Sequence, residues 1–177
     1  MKHSKLAIGM IGGASALVLA LSPSAALAHH GHHHHHGHNL LRGDLTPSMP
    51  TDAAINLVPP GGLPWIISRG EVRVRDSGRM DVRIEGLQIP FPALPVTQNP
   101  VPNIHAVLYC SGTVAADSGS HPMSVPGGDS RFRVTLMVPE TCDDATVLIQ
   151  PDSTATPGTP ANAYIASVMA APADDDD

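Results

Sequence analysis

From Leu63 onward, short segments of the chain alternate apolar and polar residues with a period of two. In "RGEVRVRDSGRMDVRIEG", Val72 and Val74 sit between Glu71, Arg73 and Arg75, and Met80, Val82 and Ile84 sit between Asp81, Arg83 and Glu85. Successive side chains of a strand point to opposite faces, so this pattern predicts two half-buried strands. The loop Asp76-Ser77-Gly78 closes them into a hairpin, with Gly78 in the left-handed position. The resulting register sets Arg69 against Glu85, Glu71 against Arg83, Arg73 against Asp81 and Arg75 against Arg79. Val72 then faces Val82, and Val74 faces Met80. Three of these four outward pairs are opposite in charge, and a slip of one residue would mix the faces. On this register the arginines are mostly neutralised by their neighbours, which argues against a nucleic-acid surface.

Further strands are predicted from about Ile104 to Val114, and from Arg131 to Val138 with Phe132, Val134, Leu136 and Val138 on one face. Two more cover 145–150 and 163–170. The Pro-rich connection "PFPALPVTQNPVPN" must be extended and cannot be a central strand. No stretch shows a helical period. Six strands within about 110 residues, joined by long loops, predict an all-β fold. The expected form is a two-sheet sandwich of about six to eight antiparallel strands. Trp65, at the head of the first strand, is expected to be a large core or end plug, with an exposed sugar-stacking role as the alternative.

The first 60 residues have a different texture. Lys2 and Lys5 precede an almost wholly apolar run from Leu6 to Leu21, Ser22-Pro23 breaks it, and Ala26-Leu27-Ala28 fits an A-x-A cleavage pattern. Residues 1–28 therefore read as a secretory signal peptide, too short in its apolar part for a membrane span. Residues 29–60 read as a His-rich and Pro-rich tether with too little apolar surface to offset its ordering entropy. The sandwich domain is expected over 61–170 and an acidic tail over 171–177. Cleavage after Ala28 removes both lysines and leaves eight arginines against 16 acidic residues. So acidic a chain argues against nucleic acid and anionic lipid as partners. In an exported protein the two cysteines, Cys110 and Cys142, are expected to form one disulfide.

The densest chemistry lies in the tether. His29, His30, His32, His33, His34, His35, His36 and His38 put eight imidazoles within ten residues. Neutral imidazole binds Zn²⁺, Ni²⁺ and Cu²⁺ well, and a run can offer several at once. Selectivity is expected to be poor, because no rigid shell fixes the geometry. If His29 becomes the amino terminus, its α-amino group and ring can clasp copper together. The alternative is a solvated spacer. No cofactor is expected to be required beyond such an ion.

Elsewhere the sequence is spare. His105 and His121 are too few for a metal site unless Asp117, Asp129 or a cysteine joins them; they read as surface or half-buried histidines. "GGDSR" at 127–131 lacks the strand–turn–helix context and the G-x-S-x-G elbow of a serine hydrolase. "ADDDD" reads as a solvated tail rather than a calcium site.

The residues Pro64-Trp65, Gly86-Leu87, Cys110 with Gly112, Pro139 with Cys142 and Tyr164-Ile165-Ala166, spread over residues 61–168, resemble a group of small secreted bacterial β-sandwich proteins. That resemblance implies a fold and an exported setting but no reaction. The hairpin followed by a His-containing strand is also faintly similar to chordin-type and copper–zinc superoxide-dismutase-like sandwiches. The multi-histidine metal site of the dismutase has no counterpart here, so no dismutase activity is carried over. The expectation is a secreted, non-enzymatic β domain, with divalent metal on the His run as its most concrete ligand. An extracytoplasmic enzyme with a loop-built site and a cell-envelope adhesion module are the rivals. The protein partner, if there is one, is not legible.

Overall fold

The computed structural model describes residues 38–152 and 162–170. Ten strands form two antiparallel sheets, with no helix among the described residues. The first sheet has the order β1 (Asn39–Asp44), β3 (Arg69–Arg75), β4 (Arg79–Glu85), β8 (Ser130–Thr135). The second runs β2 (Thr46–Pro47), β10 (Ala166–Met169), β9 (Thr146–Pro151), β5 (Asn103–Cys110), β6 (Thr113–Asp117), and β7 (His121–Pro122) also pairs with β5. This is the expected all-β arrangement of two antiparallel sheets.

The core lies between the sheets. Val72, Val74, Met80, Val82 and Ile84 point in from the first sheet and meet Ile104, Ala106, Leu108, Val147, Ile149 and Val168 from the second. Trp65 is also fully buried, only 1% exposed, which makes it the plug and excludes the sugar-stacking alternative. The β3–β4 hairpin has the predicted register, from Arg69 opposite Glu85 to Val74 opposite Met80. Gly78 has φ +80°, and its amide donates to the carbonyl of Arg75 at 2.9 Å.

The two sheets differ on their outer faces, and this difference positions the site. In β9, Thr146 to Gln150 are all buried. A strand covered on both faces loses its alternation. The cover is the segment before β3: Val107, Tyr109, Leu148 and Tyr164 form a second apolar cluster with Ile55 and Val58 packed against it. The Tyr164 hydroxyl donates to the Ala53 carbonyl at 3.1 Å. Burial raises the Tyr164 phenol above its usual range, with nearby Asp52 adding to the effect. In β3 and β4, by contrast, buried and half-exposed residues alternate cleanly. Their outer face is left uncovered and polar.

Two expectations need correction. Residues 39–60 are not tether. β1 pairs with β3, β2 pairs with β10, and Leu41 and Leu45 are in the core. The pattern was hidden because β1 carries a register shift between Asn39 and Leu41, β2 is two residues long, and prolines surround it. The two sheets thus include strands from before residue 61. The long strand expected over 104–114 is instead two, β5 and β6, folded back at Ser111-Gly112, where both residues have positive φ.

Candidate anion-binding face

All eight arginines beyond residue 28 lie in strands of the first sheet: Arg42 in β1, Arg69, Arg73 and Arg75 in β3, Arg79 and Arg83 in β4, and Arg131 and Arg133 in β8. The carboxylates in the same strands are Asp44, Glu71, Asp81 and Glu85. An acidic chain therefore carries a sheet with a surplus of four positive charges. Pairing brings the residues into rows. Arg42, Arg73, Asp81 and Arg133 lie side by side across the four strands, and Asp44, Glu71, Arg83 and Arg131 form the next row. Parity puts both rows on the outer face, opposite the buried Val72, Val82 and Phe132 side.

The side chains do not pair as the hairpin alone suggests. Asp81 accepts from Arg133 Nε, and Arg79 Nε lies 3.3 Å from its other oxygen. Glu71 is taken by Arg42 at 3.3 Å, and Glu85 by Arg83 of its own strand. Arg73 instead donates from Nε to the side-chain oxygen of Asn39 at 2.7 Å. Among the described residues, Arg69, Arg73, Arg75 and Arg131 have no carboxylate partner. The predicted backbone register is correct, yet the face is only partly neutralised, because β1 and β8 add three arginines to it and compete for its carboxylates. The arginine hydrogen bond holds the Asp81 carboxyl below the usual range, against some desolvation, and the charges of Arg133, Arg79 and Arg75 reinforce this. Arg75 Nε is buried without a hydrogen-bond partner, as is Arg79 Nε, whose approach to Asp81 lacks hydrogen-bond alignment.

These side chains edge a depression of about 560 Å³ lined by Arg73, Arg75, Arg83, Arg131, Arg133 and Glu71, among others. Same-face positions repeat about every 6.8 Å along a strand and about 4.8 Å across strands. The unpaired arginines thus form a two-dimensional array, roughly 20 Å long from Arg69 to Arg75 at ~3.4 Å per residue. Guanidinium groups suit phosphate, sulfate and carboxylate through bidentate hydrogen bonds. A single small anion can meet one or two of them, whereas an extended polyanion can meet the array.

The other expected site residues are placed as follows. Cys110 and Cys142 are joined in a disulfide, with Cα atoms 4.7 Å apart. His29 to His36 lie outside the described residues. The backbone N–H of His38 donates to Asp76 Oδ2 at 3.0 Å, beside the β3–β4 turn. His105 Nδ1 is 2.9 Å from Asp117 Oδ2, with His105 half-buried and Asp117 exposed. His121 stacks on Phe132 with ring centres 3.8 Å apart, bridging β7 and β8. Among the described residues, no three His, Cys, Asp or Glu side chains gather as a metal site, and no helix is long and apolar enough to cross a membrane.

No family model matches the chain, and no curated protein or solved structure matches it either.

Proposed function

We propose that this protein is an exported, non-enzymatic binding domain that holds an extended polyanion on the outer face of its first sheet. The observation that carries this is the gathering of all eight arginines on one uncovered face of an otherwise acidic chain, four of them without carboxylate partners among the described residues. The signal-like leader and the Cys110–Cys142 bond support an extracytoplasmic setting. In that setting the natural ligand class is an anionic polymer of the cell envelope or its surroundings, carrying phosphate, sulfate or carboxylate groups at regular spacing. Single-stranded nucleic acid fits less well. Its binding surfaces use exposed aromatic platforms, and the one aromatic residue in this sheet, Phe132, is stacked against His121.

The test is binding of a sulfated polysaccharide and of inorganic polyphosphate at low and high salt, with neutral dextran as control. The R73Q/R75Q/R131Q variant removes three charges that have no carboxylate partner among the described residues, on the face opposite the core. At roughly 0.5–1 kcal/mol per exposed contact, binding should weaken by about 10- to 100-fold. Equal affinity of variant and wild type, or an affinity insensitive to salt, rejects the reading.

A second reading rests on the eight imidazoles of residues 29–38, which favour chelation of Zn²⁺, Ni²⁺ or Cu²⁺. Calorimetric titration of residues 29–177 beside a version beginning at Asn39 tests it, at pH 7.5 and 5.5. Heat should be confined to the longer chain and should fall at the lower pH, where protons compete for the ring nitrogens. Equal heats from the two proteins reject it.

A further inference from the structure

We infer that Asp174–Asp177 of the same chain dock on the arginine face when no ligand is present and act as its built-in competitor. This rests on reading that face as the polyanion surface, and it adds a regulatory element to it. Three observations carry it.

The first is where the chain leaves the domain. The amide of Ala170, just past the end of β10, donates to the Ala145 carbonyl at 2.8 Å. The pairing of β10 with β2 runs Ala166 to Pro47 and Ser167 to Thr46, so the residues that follow head back along the chain toward β1. Val168 Cγ2 would lie 2.8 Å from a Cβ placed on Gly43. The last described residues therefore pass the inner side of β1, which is the edge strand of the arginine sheet.

The second is reach. Asp174 is four residues beyond Ala170 and Asp177 is seven. At ~3.3 Å per extended residue they extend roughly 13 and 23 Å. The sheet is about 14 Å from β1 to β8, as three strand spacings of ~4.8 Å. Ala170 is bonded to the second sheet, roughly 10 Å below the first, so the extended tail can round the β1 edge and bring its last carboxylates over β1 and β3.

The third is charge. Four aspartates meet a surplus of four positive charges on the sheet, while Ala171, Pro172 and Ala173 offer nothing to bury. Held by charge alone, the tail is a weak occupant that competes through proximity, at an effective concentration near millimolar. A long, densely charged polymer displaces it, and small anions do not.

The test uses the full mature chain, a version lacking residues 174–177, and a charge-matched control, E140Q/D143N/D144N/D152N, whose substitutions lie outside the first sheet. Removing the tail should tighten polyphosphate binding roughly three- to tenfold at low salt, with the control moving less than half as far on a logarithmic scale. Equal tightening in both overturns the inference in favour of a net-charge effect. A second readout needs no polymer. The Nε–H resonances of Arg42, Arg73 and Arg75, on β1 and β3, should shift on tail deletion, and return when the peptide APADDDD is added at millimolar concentration. Unmoved resonances overturn the inference even if polyphosphate binds, leaving the binding reading intact. Moved resonances with no polyphosphate bound by any version uphold the tail contact and overturn the binding reading. A deletion effect that vanishes on dilution of the intact protein places the contact between copies, and overturns it as an intramolecular one.

Discussion

Replacing Leu41 by alanine tests whether the stretch after the His run is structure or spacer. Leu41 is 2% exposed and sits in the inter-sheet core, in the β1 strand that pairs with β3. The substitution removes the equivalent of about three methylene groups, worth roughly 2.4 kcal/mol in transfer free energy. A cavity term adds to this where the surroundings cannot collapse. Edge strand β1 has only one neighbour and can move inward, so the sum should fall near the lower part of the usual Leu→Ala range, about 2.5–3.5 kcal/mol. With an m-value of about 1–1.5 kcal/mol/M for a domain of this size, the urea midpoint should drop by roughly 2 M. The assay is equilibrium urea unfolding with the disulfide intact. Deleting residues 29–37 serves as the control and should leave the unfolding free energy within about 0.5 kcal/mol of the parent. A Leu41→Ala midpoint equal to that of the parent would refute the reasoning, since it would mean β1 contributes nothing to the folded domain.

Three further outcomes follow from the same geometry. Replacing Cys110 and Cys142 together by serine opens a loop closed over a sequence separation of 32 and should lower stability by roughly 3–4 kcal/mol as an upper value, read from the same urea curves. Because Arg133, with Arg79 and Arg75, holds the Asp81 carboxyl below its usual range in the folded state, its contribution should be complete above about pH 4 and be lost as pH falls through the lowered value. Asp81→Asn should therefore be less stable than wild type at pH 7, with the gap narrowing toward pH 2; a gap that widens in acid contradicts the assignment. Gly78→Ala should cost about 1–3 kcal/mol, because φ is +80° and a Cβ there would fall 2.1 Å from the Leu136 carbonyl oxygen, and an unchanged thermal midpoint would count against that turn.

Sequence alone determined what depends on near neighbours. The β3–β4 register follows from period-two alternation and a glycine able to take positive φ three residues past Arg75, and both are local properties of 18 consecutive residues. The pairing of the two cysteines followed from their number. Tertiary structure decided which strands flank that hairpin. β1 arrives from 34 residues upstream of Arg73, as the Arg73–Asn39 bond shows, and β8 from 52 residues downstream of Asp81, as the Arg133–Asp81 pair shows. The alternation of β8 marks a strand but not its neighbour, a register shift breaks the alternation of β1, and charge complementarity within the hairpin says nothing about who else competes for Asp81 and Glu71. The two strands turn a mostly neutralised ladder into a face with four arginines that lack carboxylate partners among the described residues. Side-chain charge is fixed by composition, but its surplus at a surface is set by which strands pack side by side, and that is settled by burial of the opposite, apolar face.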